Sequence, residues 1–226
     1  MKKKILNESE WGKVANELSA EKIKIQSYDK KFIQLLGNIK NKKILDYGAG
    51  PGVLAEVLLR LQGDAYVFDI SEEMNEIAAK NVGIERVYHS VEKIPDKTFD
   101  IVICNLVLCI VDIEETKNIC INIYSVLKNQ GKAYIGFCNP LIYNIVETQL
   151  DYRKFEGSPY ELPHSYLKIK KEGNYEIKEN HRPVEWYKKI FKESGFKKIN
   201  VHFTDEYELN ATKIKDFIIF ELIKKC

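Results

Sequence analysis

The stretch Ile44-Leu45-Asp46-Tyr47-Gly48-Ala49-Gly50-Pro51-Gly52 narrows the folds open to this chain more than any other segment. An apolar run ends in an acid, three glycines follow at alternate positions, and an amphipathic pattern runs from Val53 to Leu61. Strand, glycine turn and helix together make a surface where a ligand lies against bare backbone. A dinucleotide loop has the spacing G-x-G-x-x-G, with pyrophosphate on the helix N-terminus. Here the third glycine comes one residue early, and Val53 stands where that pattern needs Gly. Asp46, at the strand end, repels phosphate and attracts an ammonium group. The expected ligand is a nucleoside with a cationic amino-acid tail.

The rest of the chain alternates apolar strands with amphipathic helices, the pattern of a parallel sheet covered on both faces. Strands are expected over Lys43–Tyr47, Ala65–Ile70, Arg86–His89, Phe99–Cys104, Lys132–Cys138, Lys197–Thr204 and Asp216–Leu222. The Phe99–Cys104 run is continuously apolar, as a doubly covered central strand must be. Val53, Leu54, Val57, Leu58 and Leu61 form one helix face, stopped by Gly63. Ser71 is placed to cap the next helix, with Glu72 and Glu73 in its first turn. Asp112-x-x-Glu115 has the form of a capping box for a helix reaching about Lys128. Another helix spans Glu185–Ser194, ended by Gly195. The last two strands are joined by a loop and a short stretch without a full helix, so they pair antiparallel.

Two segments stand outside this alternation. Residues 1–40 carry helical patterns near Glu8–Ala20 and Tyr28–Leu36. Residues 141–182 interrupt the order after the fifth strand and are rich in Tyr. Within them, Ser165–Lys171 and Tyr175–Glu179 read as a β-hairpin turning at Glu172-Gly173-Asn174.

Composition sets bounds. The 226 residues are 45% hydrophobic and 30% charged with a net charge of +2, which points to an ordinary globular chain and not to nucleic acid. Lys2 to Lys4 are not followed by an apolar core, so no secretory signal is read there, and the apolar run from Ile101 to Val111 is too short for a membrane span. Cys104, Cys109, Cys120, Cys138 and Cys226 include no C-x-x-C pair, so no metal site is expected. Buried thiols suit a reducing cytoplasm, the expected location.

Asp69 ends the second strand 21 residues after Gly48. A lone acid there commonly caps a turn. After this glycine loop it suits the two ribose hydroxyls, with Ile70 and Met74 against the base. Cys104-Asn105-Leu106 ends the fourth strand, and ligands of open α/β sheets sit beyond strand C-termini.

Asp46, Gly48, Gly50 and Gly52 match (D/E)-x-G-x-G-x-G in full. In this the segment resembles motif I of the class I S-adenosylmethionine-dependent methyltransferases. His89-Ser90-Val91-Glu92-Lys93-Ile94-Pro95 with Phe99-Asp100-Ile101-Val102 resembles that family's G-D-A-E-x-L-P…F-D-x-V stretch, with Ser90 replacing the usual acid. Val126-Leu127-Lys128-Asn129-Gln130-Gly131-Lys132 resembles its L-K-P-G-G turn. His181-Arg182 through Trp186, with Ser194-Gly195-Phe196, resembles an H-R…(Y/W)…(A/S)-G-F segment of bacterial small-molecule members.

The resemblance implies a Rossmann-like, doubly wound α/β fold. Its seven-stranded, mostly parallel sheet has a reversed last strand, N-terminal helices and a lid insertion. It implies one methyltransferase domain over 1–226, with a helical cap over 1–40 and a lid over 141–182. It implies S-adenosyl-L-methionine as cofactor, leaving as S-adenosyl-L-homocysteine. Its binding set is Asp46, Tyr47, Gly48, Gly50, Gly52, Asp69, Ile70, Met74, Ser90, Val91, Asn105 and Leu106. The adenine amino group falls to Ser90, which accepts more weakly than a carboxylate, and to the Val91 backbone.

The acceptor expected is a small molecule methylated at O, N or C, by a monomer or homodimer with no membrane partner. Where the acceptor must lose a proton, His181 and His164 are the candidate bases, and His89 is a weaker one. Trp11, Tyr28 and the tyrosines of 141–182 are expected to form the acceptor pocket. Other readings are an RNA or protein methyltransferase, a cofactor-binding protein without catalysis, and a nicotinamide oxidoreductase, which the glycine spacing and Asp46 oppose.

Overall fold

The computed structural model describes residues 4–6 and 28–225, apart from 156, 173 and 174. Trp11, Cys226, the helical pattern at Glu8–Ala20 and the Gly173-Asn174 turn lie outside the described residues.

Strand β1 covers Lys4–Leu6 and helix α1 Lys30–Leu36. The central alternation then runs β2 (Lys43–Tyr47), α2 (Val53–Arg60), β3 (Asp64–Phe68), α3 (Glu72–Val82), β4 (Val87–Tyr88), β5 (Phe99–Asn105), α4 (Ile113–Val126) and β6 (Leu127–Cys138). After it come β7 (Asp151–Lys154), β8 (His164–Lys170), β9 (Tyr175–His181) and α5 (Val184–Glu193). The chain ends on β10 (Lys198–Phe203), β11 (Tyr207–Leu209), β12 (Thr212–Ile214) and β13 (Phe217–Ile223).

Seven strands form one sheet in the order β10-β13-β6-β5-β2-β3-β4. β13 runs antiparallel to both neighbours, and the β6-β5-β2-β3-β4 pairs are all parallel. The reversed last strand expected from sequence is therefore present. Side chains alternate across the sheet, as the two-residue period requires. Val102, Cys104, Ile135 and Phe137 join α4 and α5 in one core with Ile123, Tyr187 and Phe191. Ile44, Val67, Ile101 and Ile103 join α1, α2 and α3 in the other with Phe32, Leu58 and Ala78.

The local signals act as expected. Ser71 Oγ accepts from the Met74 N–H at 3.4 Å, and Asp112 Oδ1 from the Glu115 N–H at 2.8 Å, satisfying helix-start donors that have no partner within the helix. Three details differ. β6 begins at Leu127 rather than Lys132, because the expected turn survives as an irregularity between the Phe99 and Ile101 pairings, with Gln130 at φ 64°. A hairpin, β11–β12, links β10 to β13 where only a loop and short stretch were expected. Asn210 and Ala211 at its tip both have positive φ, which a two-residue type I′ turn demands. The 141–182 segment is more than a hairpin: β8 and β9 pair antiparallel, β7 adds beyond β8, and β1 adds parallel beyond β9.

Candidate active site

The site begins where the sheet order reverses, between β2 and its neighbours β3 and β5. Gly48, Gly50 and Gly52 all have positive φ, at 78°, 55° and 76°. Each has a different reason to lack a side chain. A Cβ on Gly48 would lie 2.3 Å from Val107 Cγ2, and one on Gly52 would lie 3.1 Å from Ala78 Cβ, so these glycines permit close packing. A Cβ on Gly50 would meet nothing within 4 Å. Gly50 therefore faces open space, as a backbone cradle for a ligand must.

Asp69 fastens this loop to β3. Its Oδ2 accepts from the Gly50 N–H at 2.8 Å and its Oδ1 from the Ser71 N–H at 2.9 Å. Burial pushes its carboxyl above the usual range, against the pull of those backbone N–H groups. Each oxygen keeps a lone pair for a further donor, such as a ribose hydroxyl. Sequence reasoning missed Asn75, which braces Asp69. Its Oδ1 accepts from the Asp69 N–H at 3.0 Å and its Nδ2 donates to the Asp69 carbonyl at 2.9 Å. The one signal was a polar residue on the buried side of α3.

The other expected cofactor residues stand at adjacent strand ends. Asp46 is buried at the end of β2, beside Val67 and Ile103. Ile70 is 77% exposed, unusual for an isoleucine next to a site and suited to covering a flat base. Met74 is buried in the first turn of α3, and Ser90 and Val91 are half-buried beyond β4. Asn105 Oδ1 is buried with no hydrogen-bond partner among the described residues. A buried acceptor left open in this way calls for a ligand or water. Leu106 follows it at φ 63°, an uncommon conformation for leucine that turns the chain over the strand end. Tyr47 differs from the rest. Its ring packs into the core 5.0 Å from Phe68 and its hydroxyl lies 3.4 Å from Asn122 Nδ2, so only its backbone borders the loop. Burial pushes that hydroxyl up to about 12.

These features fit S-adenosylmethionine: an open glycine cradle, an acid with spare lone pairs at ribose distance along the chain, an exposed apolar face for adenine, and Asn105 open toward the strand end. When bound, the cofactor supplies a sulfonium-activated methyl group. Residues 44–131 match the family pattern described as a methyltransferase domain. Over these residues the chain carries the pattern of a methyltransferase domain, in the part of the fold that holds the glycine loop and Asp69. No curated protein sequence matches it.

Solved structures share the fold. An S-adenosylmethionine-dependent methyltransferase from Clostridium acetobutylicum is 15% identical, with 96% of this chain and 98% of that one aligned at a TM-score of 0.61. One from Mesorhizobium loti is 15% identical, with 86% and 96% covered and a TM-score of 0.61. Phosphoethanolamine N-methyltransferase 2 of Haemonchus contortus, solved with S-adenosyl-L-methionine, is 18% identical with a TM-score of 0.57. This chain's 88% there aligns with 52% of the longer protein.

Beyond the ends of β5 and β6 the methyltransferase carries its second sheet. The end of β9 is bonded to the loop after β5. The Asn180 N–H donates to the Cys109 carbonyl at 2.7 Å, and Arg182 donates to Leu108 O at 2.8 Å and Val111 O at 2.7 Å. A narrow cavity remains between the sheets, lined by Cys109, Phe137, Cys138, Glu179 and His181 among others.

The two candidate bases are neighbours. His164 and His181 are paired across β8 and β9 with ring centroids 4.7 Å apart, against Tyr143. His181 Nε2 lies 2.8 Å from the Tyr160 carbonyl and His164 Nδ1 2.8 Å from the Leu162 carbonyl. A carbonyl only accepts, so these nitrogens carry protons, and His181 Nδ1 and His164 Nε2 are the basic ones. Burial lowers the His181 pKa, keeping its ring neutral at pH 7. His164 Nε2 is buried without a partner among the described residues. His89 lies apart on the surface, 2.9 Å from Glu72. Tyr28 is fully buried over Gly136, where an added Cβ would strike its hydroxyl, and stacks on Phe217 at 4.0 Å.

A buried charge cluster was not foreseen. Asp151 lies 3.0 Å from Arg153 Nε and 3.2 Å from Lys168 Nζ, which in turn lies 3.1 Å from Glu179; the Tyr166 hydroxyl donates to Glu179. Burial works against both acids, but the neighbouring cations hold Asp151 and Glu179 below the usual carboxylate range. The signal was present as polar residues two apart, Asp151/Arg153, Tyr166/Lys168 and Glu179/His181, on one face of each strand.

Proposed function

We propose that this methyltransferase acts on a small-molecule acceptor, at O, N or C, held beneath the β7–β9 sheet. The observation that supports this reading is the docking of β9 on residues 108–111, which lays the β7–β9 sheet over the ends of β5 and β6. A site covered by a second sheet suits a small acceptor better than an RNA strand or a folded protein, and the net charge of +2 offers no strong attraction for RNA.

The division of the chain into one domain, with a cap over 1–40 and an insertion over 141–182, is part of this proposal. So is the binding set Asp46, Gly48, Gly50, Gly52, Asp69, Ile70, Met74, Ser90, Val91, Asn105 and Leu106, with the Tyr47 backbone. Transfer from a sulfonium needs alignment and exclusion of water more than acid–base help. In this reading the protein's residues supply both by fixing the donor at the strand ends and covering it with the β7–β9 sheet. Where the acceptor carries an O–H or N–H, neutral His181 takes the proton at Nδ1, with His164 Nε2 as the nearby alternative.

The test is methyl transfer from labelled S-adenosylmethionine into separated small-molecule, RNA and protein fractions of a cell extract. Label in the small-molecule fraction is expected; label confined to RNA or protein would sink the reading. With a proton-bearing acceptor, His181→Ala should lower kcat about 100-fold or more while donor affinity holds.

A further inference from the structure

Where β6 ends, Cys138 Sγ lies 2.7 Å from Lys168 Nζ on β8. Sulfur is larger than oxygen, and 2.7 Å is already an ordinary separation for a charge-assisted N–H···O contact. The two atoms are therefore closer than a hydrogen bond to sulfur requires, yet too far apart for a direct N–S bond. The gap is that of two atoms bridged by one oxygen. Lys168 is 2% exposed and pinned on its other sides by Asp151 at 3.2 Å and Glu179 at 3.1 Å, so its nitrogen has little freedom to leave the sulfur. Cys138 keeps partial exposure and lines the cavity with Glu179, which gives a small oxidant a way in.

We propose that Cys138 and Lys168 are joined, in the presence of dioxygen, by a covalent sulfur–oxygen–nitrogen bridge. The S–H bond of Cys138 and N–H bonds of Lys168 break, and one S–O and one O–N bond form. The O–O bond of dioxygen is cleaved, and its second oxygen leaves as water. Sulfur and nitrogen each give up an electron pair, and dioxygen takes both pairs. The surplus proton of the lysine ammonium passes to Glu179, whose carboxylate loses its cation partner in the same event. Strong thiol reductants return the thiol and amine.

Burial pushes the Cys138 thiol up to about 12, Glu179 adds to that, and Lys168 opposes it. The resting pair is thus thiol and ammonium, and the bridge forms slowly, since sulfur oxidation follows thiolate character. Proximity compensates by keeping the partners in contact throughout. Once formed, the bridge ties the end of core strand β6 to the overlying sheet.

Whole protein purified without reductant and held in oxygen-saturated buffer is compared with the same sample after dithiothreitol, by intact mass and tandem mass spectrometry. The expected gain is about 14 Da, one oxygen added and two hydrogens lost, reversed by dithiothreitol. The fragment spectra should join the peptides that carry Cys138 and Lys168, and Cys138→Ser should abolish the gain. Cys138 oxidised alone or paired with another thiol, Lys168 recovered unmodified throughout, or the gain persisting in Cys138→Ser would each overturn the proposal. None of these readouts depends on methyl transfer, so they succeed or fail apart from the acceptor assignment.

Discussion

The glycine-loop region and the sheet that overlies the core are built on different principles. The donor side is main chain: three positive-φ glycines, a loop tied to Asp69 at 2.8 Å, and strand ends in register. The overlying sheet is side chain: two acids and two cations buried among rings on β7, β8 and β9. The first tolerates little change because its shape is the backbone. The second depends on every charge keeping its partner.

The sharpest way to break this contrast is Lys168→Met. It leaves Asp151 and Glu179 buried without their shared cation and should cost about 3–5 kcal/mol of stability, seen in denaturant melts. Donor affinity of the molecules that remain folded should change little, since distant sites act independently. Equal loss of both would mean that the two sides are one unit. Gly50→Val is the converse. It should weaken S-adenosylmethionine binding by at least about 100-fold in calorimetry, because its side chain enters the open cradle. The positive φ costs only about 1–2 kcal/mol of stability.

Acid should act on the second side first. His181 has a lowered pKa, so the folded state binds its proton less readily than the unfolded chain does. Its contribution is present above about pH 6.5 and fades as pH falls. Asp151 and Glu179, also held low, contribute above the ordinary carboxylate range and lose that as pH falls further. Stability should therefore decline from pH 7 to 5 and more steeply below 4, and Lys168→Met should flatten the lower part. A curve that rises toward acid would contradict this. The smallest effect is Ser90→Asp, which should tighten donor binding a few-fold, since an ionised acceptor makes roughly twice as strong a bond.

Most of the donor side could be read in the sequence because it is local. Asp46 to Gly52 is one continuous stretch, and Asp69, Ser90 and Asn105 each follow a recognisable strand. What the sequence did not disclose is that the Tyr47 ring turns inward, since facing alternates along β2 and either face is buried. The charge cluster was hidden for another reason. Arg153 meets Lys168, and Tyr166 meets Glu179, only through cross-strand registers over separations of 15 and 13 residues. Exposed strands show the same alternating charges, and only burial distinguishes the two. Likewise nothing near Lys4–Leu6 announces a parallel partner at Tyr175–Ile177.

The clamp of Asn180 and Arg182 on residues 108–111 bears on how such a protein can change over time. The overlying sheet grips the core chiefly through main-chain carbonyls, which every sequence possesses. Its inner face can therefore be rewritten, one residue pair at a time, without renegotiating the attachment. A catalyst made this way can acquire new substrates while its donor chemistry stays untouched.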